Sequence, residues 1–317
     1  MFILMNKSSS LAIRSNFIKS QASSLGFLDI GFTQASFLEE EARNLETWLK
    51  QGRQGQMNYL NNHFDLRTDP SKLVPGAKSV ISLSYNYYTD TEQTDPDAPK
   101  ISQYAYGKDY HKIIKKKLKT LLSSIQEEFG DIHGRCFVDS APLLERDLAK
   151  RAGLGWTGKN TLLINKKKGS YFFLAEIVLD LELEYDLSTE DHCGTCTKCI
   201  DACPTDAIDE GGYILDAQKC ISYLTIELKD EIPSEFKNKM DNWMFGCDIC
   251  QQVCPWNRFS QNHSEEKFKP SEELLNMSKK EWHEITNEVF DRLFEGSPVK
   301  RTKFEGLKRN IEFLQQK

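Results

Sequence analysis

The stretch at residues 191–204, DHCGTCTKCIDACP, packs four cysteines into eleven positions and ends on a proline. Cys193, Cys196, Cys199 and Cys203 follow the spacing C-x2-C-x2-C-x3-C-P. Cys247, Cys250 and Cys254, followed by Pro255, repeat the ending C-x2-C-x3-C-P, with Cys220 a stretched interval upstream. Such short spacings let three sulfurs converge from one tight loop, and soft thiolates suit iron–sulfide cores. Eight thiolates match the needs of two [4Fe-4S] clusters, and in two-cluster ferredoxins the fourth cysteine of each run serves the other cluster. That crossing assigns one cluster to Cys193, Cys196, Cys199 and Cys254, and the other to Cys203, Cys220, Cys247 and Cys250. Structural zinc is the competing chemistry, but it favours paired C-x2-C units over a triple run ending in Cys-Pro. A disulfide framework belongs to small secreted chains, and this chain has 317 residues and an odd nine cysteines. The ninth, Cys136, stands alone in an apolar stretch and reads as core.

Clusters saturated by eight cysteines conduct electrons but leave no open iron for a substrate. A third site is therefore expected before residue 190. Asp139 ends the apolar run CFVD and precedes a helical pattern, a placement where reactive groups gather in layered folds. Apolar neighbours are expected to raise its pKa and make it a proton donor. The bland alternative is that it caps the helix or pairs with Arg146 or Arg151. YGKDYH at 106–111 sets Tyr106, Asp109, Tyr110 and His111 at the opening of a helix, either facing a pocket or forming a surface turn. GLGWTGKN at 153–160 lacks the G-x4-G-K-[ST] spacing of a phosphate loop, and no G-x-G-x-x-G follows a strand. Its glycines either hug a large ligand or end a helix.

These residues need elements to hold them. Apolar runs at 27–32, 79–87 and 171–183 read as strands, as do GRCFVDS (134–140) and NTLLI. Helical patterns span the segment before Gly26, 36–52 with Ser36 as cap, 111–130, and 141–153 with Ser140 as cap. Strands alternating with helices as far as residue 184 predict an α/β or α+β domain. The cysteine-rich part follows, then a polar helical tail. No apolar run approaches the ~20 residues that cross a bilayer. The opening MFILMNKSSS reads as an irregular start rather than a signal peptide, so a cytoplasmic protein is expected. The net charge of −6 argues against a polyanion partner on average, but the charge is uneven. HKIIKKKLK and NKKKG are basic, and the tail from Ser297 to Lys317 carries six Lys/Arg against two Glu. Such faces bind a polyanion or are simply solvated.

VDSAPLLERDLAKRAGLGWTGKNTLLI (138–164), the first cysteine run, CISYLTIE (220–227), MFGCDICQQVCPWN (244–257) and PVKRTKFEGLKRN (298–310) together resemble epoxyqueuosine reductases. The resemblance runs over about residues 10–315. It implies an α/β (α+β) cobalamin-binding reductase domain at 1–185, a ferredoxin-like two-[4Fe-4S] domain at 186–260, and a basic helical tail at 261–317 that packs on the core and contributes to tRNA binding. It implies base-off cobalamin with no protein histidine on cobalt, reduced through the clusters by an external low-potential electron donor. The substrate implied is epoxyqueuosine at the wobble position of tRNAs with GUN anticodons, in the last step of queuosine synthesis.

Asp139 matches the family's proton donor. Ser102, Tyr106, Asp109 and Tyr110 fall in the segment expected over the corrin, with Ser102 near cobalt, where some relatives carry cysteine. Arg146 is expected to contact corrin amides or phosphate, and Gly158, Lys159 and Asn160 to form the corrin pocket. Ser222, Tyr223, Thr225, Gly246 and Asp248 are expected to bridge cluster and cofactor, or else to support the cluster loops. Lys300, Arg301, Lys303, Lys308 and Arg309, with Lys166, Lys167 and Lys168, are the expected phosphate contacts. A monomer is expected. The rival readings are a cobalamin–iron–sulfur reductase of the dehalogenase type acting on a small molecule, and a two-cluster electron carrier.

Overall fold

The computed structural model describes residues 2–315. For residues 2–9 only the backbone is described, and Met1, Gln316 and Lys317, the last two ending the tail read as basic, lie outside the described residues. The opening stretch expected to be irregular instead starts a helix, α1 (Phe2–Ser24). Gly26, at φ +84°, turns the chain into β1 (Asp29–Gln34), followed by α2 (Glu39–Lys50) and α3 (Phe64–Thr68). Next come β2 (Ser79–Asn86), β3 (Lys100–Ile101), α4 (Tyr110–Phe129), β4 (Gly134–Phe137) and α5 (Glu145–Arg151). Two short strands, β5 (Trp156–Thr157) and β6 (Leu163–Ile164), precede β7 (Phe172–Leu179). The cysteine runs hold α6 (Lys198–Asp201), α7 (Ile221–Ile226), β8 (Trp243–Phe245) and α8 (Ile249–Gln252). The tail is α9 (Glu272–Asn276), α10 (Lys279–His283), α11 (Asn287–Leu293) and α12 (Lys303–Gln315).

The main sheet has the order β1-β2-β7-β4 with every neighbour antiparallel, so the first part is α+β rather than parallel α/β. On one face Phe173, Ala175, Ile177 and Leu179 of β7 meet Ile114, Leu118, Leu121 and Ile125 of α4, together with Ile18 and Ala22 of α1. That α4 stripe recurs at helical spacing, which is why this segment forms a helix against the sheet. On the other face Val80, Phe137 and Val178 meet Leu148 of α5.

Two expected caps are absent. Leu38, not Ser36, occupies the N-cap of α2, without a side-chain bond; Glu39, Glu40 and Glu41 complement the helix dipole instead. Ser140 does not cap α5 either, because the helix starts only at Glu145. Asp139 adopts φ +55° and Ser140 donates its N–H to the Val138 carbonyl at 2.6 Å, so the chain turns before helix can form.

Packing crosses the expected domain boundaries. β3 pairs in parallel with β8, and Ala98, Ile101 and Ala105 share a core with Phe245 and with Trp282, Phe294 and Leu307 of the tail. Trp48 and Met57 pack against the cluster around Tyr223 and Trp243, and Phe268 enters the core of the main sheet. Among the described residues no helix is long and apolar enough to cross a membrane.

Candidate electron-transfer centre and acid site

Folding brings Cys254 to the first cysteine run across some fifty residues of chain. Cys193, Cys196, Cys199 and Cys254 line one cavity of about 190 Å³, together with Asn160, Trp256 and Arg258. Burial, then the charges of Cys193 and Cys254, pushes the Cys199 thiol up to about 11. Cys203, Cys220 and Cys247 form a second electrostatic group that also reaches Cys250. Burial comes first in raising the Cys247 and Cys250 thiols, and neighbouring cysteines add to it. Cys250 also feels Cys199, which brings the two groups side by side, and α6 packs on α8 between them. Sulfurs that repel as thiolates call for a cationic core. Four cysteines lining one cavity suit a shared iron–sulfur cluster.

The loops around these cysteines recruit residues expected elsewhere. Trp156 Nε1 donates to Cys193 Sγ at 3.5 Å. Lys159 Nζ donates to the carbonyls of Gly194 and Cys196 at 2.8 and 3.0 Å, and Asn160 Nδ2 to that of Cys250 at 3.3 Å. Gly158 lies against Ile164, whose Cδ1 would sit 2.4 Å from an added Cβ. GWTGKN is therefore tied to the cysteine loops, its lysine donating to carbonyls that local spacing could not identify. Arg146 is exposed and donates to the Thr161 carbonyl, which ties α5 to the same loop.

A buried polar network backs the Cys247 loop. Ser102 Oγ and the Gln103 N–H (2.8 Å) both donate to Asp248, and burial pushes the Asp248 carboxyl up to about 6 against those bonds. Gly246 N–H donates to Thr225 Oγ1 at 3.0 Å. Gly246 sits at φ +68°, and an added Cβ would come 2.6 Å from Ser102 Cβ. Ser222 and Tyr223 offer backbone N–H groups to the Cys220 sulfur, while the Tyr223 hydroxyl accepts from Gln56 N–H at 2.8 Å. Tyr106 packs beside the tail core. Ser102, Thr225, Gly246 and Asp248 thus brace the loop that carries Cys247.

Asp139 lies two residues past β4, with its N–H donating to Glu145 Oε1 at 2.6 Å. The Tyr110 hydroxyl donates to its Oδ2 at 2.7 Å, and His111 Nε2 lies 3.1 Å from the same oxygen. His111 Nδ1 is 2.7 Å from Asp109 Oδ1, and Asp109 also caps α4 by accepting the His111 N–H at 3.0 Å. Asp109 is thus a helix cap and histidine partner. The Tyr110 ring stacks on Phe173 of β7 at 3.9 Å, which fixes the start of α4 over the sheet. Burial would lower the His111 pKa, but hydrogen bonds to Asp109 and Asp139 and the charges of both raise it to about 9. The expectation for Asp139 needs correcting. Burial works to raise its pKa, yet hydrogen bonds from His111 and Tyr110, then the charges of His111 and Arg301, hold its carboxyl below the usual range. The proton sits on His111, which sequence reading left undecided.

Tyr59, Tyr104, Glu227 and Arg301 complete the surroundings. Arg301 pairs with Glu227 at 2.7 Å and lies within electrostatic reach of Asp139 and Tyr59. Tyr104 lies within electrostatic reach of both Asp139 and Asp248. Arg301 is exposed while it makes its ion pair with Glu227. Arg309 is spent on the carbonyls of Leu224, Leu228 and Asp230 beyond α7, and Lys308 on that of His283 at 2.6 Å. Lys300 pairs with Asp291, and Lys168 donates to the Leu28 carbonyl. Lys166, Lys167 and Lys303 are exposed.

Comparison with known proteins follows this geometry closely. A family model described as "Epoxyqueuosine reductase QueG, DUF1730" matches residues 67–140, and one described as "4Fe-4S double cluster binding domain" matches residues 192–257. The epoxyqueuosine reductase of Cellulophaga algicola is 58% identical over 95% of this chain and 97% of its own length. That of Escherichia coli is 42% identical over 93% and 78%. Among solved structures, an epoxyqueuosine reductase with an epoxyqueuosine-modified tRNA-Tyr stem loop superposes with a TM-score of 0.82 at 32% identity, covering 94% of this chain and 80% of that one. The Bacillus subtilis enzyme, with an aspartate catalytic loop swung out of the active site, gives 0.82 at 31% identity over the same shares.

Proposed function

The chain belongs to the epoxyqueuosine reductase family, and from that membership we propose how its residues carry the reaction. It is an oxidoreductase that reduces epoxyqueuosine to queuosine. Removing the epoxide oxygen consumes two electrons and two protons and leaves an alkene and water. Cys193, Cys196, Cys199 and Cys254 would hold one [4Fe-4S] cluster and Cys203, Cys220, Cys247 and Cys250 the other, and the pair would supply electrons taken from an external low-potential donor. Cobalamin, when bound in the cleft between Asp139, Tyr104, Arg301 and the Cys247–Asp248 loop, supplies the two-electron reductant at the substrate. The donor set suits it: both His111 ring nitrogens are taken by Asp109 and Asp139, which agrees with a corrin that takes no ligand from this histidine.

The carrying observation is that Asp139 Oδ2 accepts from Tyr110 and lies against His111, with Tyr104 within electrostatic reach of both Asp139 and Asp248. His111 holds the proton at neutral pH and hands it to Asp139 across 3.1 Å. Asp139 delivers it to the epoxide oxygen. A substrate that excludes water from the cleft raises the proton affinity of Asp139, which favours that transfer. The substrate is tRNA with a GUN anticodon, its wobble nucleoside splayed from the loop into the cleft, and exposed Lys166, Lys167 and Lys303 are left as phosphate contacts. The test is anaerobic reconstitution with iron, sulfide and cobalamin, then reaction with a low-potential reductant and epoxyqueuosine-containing tRNA. The modified nucleoside loses the mass of one oxygen; a nucleoside of unaltered mass under strong reduction would overturn the reading.

A further inference from the structure

Beneath the Asp139 loop lies a buried polar pocket that this chemistry does not use. Glu176 sits in the middle of β7, opposite Ser82 of β2 and Phe137 of β4, and is 0% exposed. Every other residue of that strand is apolar. Neither Glu176 oxygen meets an N–H or O–H donor among the described residues, and Ser82 Oγ beside it and Arg67 Nε are likewise buried without a partner. Glu176 instead meets the carboxyl of Glu145, the first residue of α5. Carboxylates only accept, so two carboxyls bond only with a proton between them.

Burial, then the negative charge of Asp139, pushes Glu145 up to about 7. Burial, then the charge of Glu145, pushes Glu176 well above the carboxylate range. The other charged groups facing the pair are His111 and Arg67. A proton on Glu176 therefore donates to Glu145, while Glu145 Oε1 accepts the Asp139 N–H at 2.6 Å. That amide belongs to a residue at φ +55°, a left-handed turn that costs most side chains about 1–2 kcal/mol and that aspartate tolerates better than most.

We propose that Glu145 and Glu176 are positioning residues for Asp139: the proton held between the two buried carboxyls fixes Glu145, and Glu145 pins the Asp139 amide in its left-handed turn, against Tyr110 and His111. The proposal rests on the reading of Asp139 as the acid. A purely structural role is a poor account of Glu176, because an acid buried in the centre of a sheet can be replaced by an apolar residue without loss of stability.

The experiment compares the holoenzyme with Glu176→Leu, Glu176→Gln and Glu145→Ala, measuring melting temperature, kcat and KM, and the His111 titration midpoint by imidazole NMR without substrate. Glu176→Leu melts no lower than the parent, while kcat falls roughly 10²-fold with KM little changed. Its His111 midpoint falls by about 1 pH unit as Asp139 moves away. Glu176→Gln, whose amide donates to Glu145 without titrating, restores both. Glu145→Ala, at the partly exposed start of α5, repeats the loss and serves alone if the leucine variant does not fold. Parental kcat and His111 midpoint in Glu176→Leu or in Glu145→Ala would overturn the proposal, as would kcat losses that merely track melting temperature with His111 unmoved. The His111 titration needs no turnover, so it fails with the positioning alone, whereas activity retained by Asp139→Asn would sink only the acid reading.

Discussion

Replacing Asp139 by Asn keeps the size of the side chain and removes its charge, and the structure says what that does to His111. The imidazole lies 2.7 Å from Asp109 and 3.1 Å from Asp139, and this sandwich lifts its pKa from 6.5 to about 9. At 3.1 Å and an effective dielectric near 20, the His111–Asp139 attraction is about 5 kcal/mol before screening. The Asp139 side chain is 48% exposed and that of His111 30%, so solvent leaves on the order of 1–2 kcal/mol. That corresponds to roughly one pH unit, and the His111 midpoint should fall to roughly 8, with Asp109 still in place. The sign is fixed by the raised folded-state pKa. His111 contributes stability that is complete below about 6.5 and lost as pH rises through about 9; in the variant the loss completes earlier. Turnover should fall by roughly 10²–10⁴-fold, with tRNA affinity unchanged. The assays are an imidazole NMR titration and single-turnover reduction of modified tRNA. A variant that turns over at the parental rate refutes Asp139 as the acid, and a midpoint that stays near 9 refutes the charge coupling.

Cys254→Ser should cut iron from about eight to about four per chain, measured by iron analysis and Mössbauer spectroscopy, because Cys254 shares a cavity with the first cysteine run; iron at the parental level would break the crossed assignment. Gly246→Ala should cost about 2–5 kcal/mol, from backbone strain at φ +68° plus a Cβ placed 2.6 Å from Ser102, and thermal unfolding with parental stability would refute this. Lys166→Glu with Lys167→Glu should weaken tRNA binding and flatten its logarithmic salt dependence by roughly 0.7–0.9 for each phosphate no longer neutralised. Arg309→Ala should instead lower stability and leave that slope alone, since its guanidinium binds carbonyls beyond α7.

The cysteine spacing, the strand run at 79–87, the helix ending at Gly130 and the place of Asp139 just past a strand were all legible, because each depends on residues close in the chain. The parallel-sheet alternative was not excluded, since alternating strands and helices look alike whichever way β2 and β7 run. The partners of the tail's cations were not legible for a similar reason. Arg301, though exposed, pairs with Glu227, and Arg309 donates to carbonyls some eighty residues away. The one sequence signal for the hidden acid pair was a lone Glu in the apolar run FFLAEIVL.

By itself the chain dictated which atoms could ligate iron, because three sulfurs within seven positions must share a loop. It also dictated a carboxylate at a strand end followed by a helix. Tertiary structure decided what those groups are worth chemically. It carried Cys254 to the first run, laid Lys159 on the cysteine loops, and set His111 between two aspartates so that the histidine and not Asp139 keeps the proton. Ligand spacing is a property of neighbouring residues. Proton affinity is set by burial and by charges from distant segments, and those are known only once the chain has folded around them.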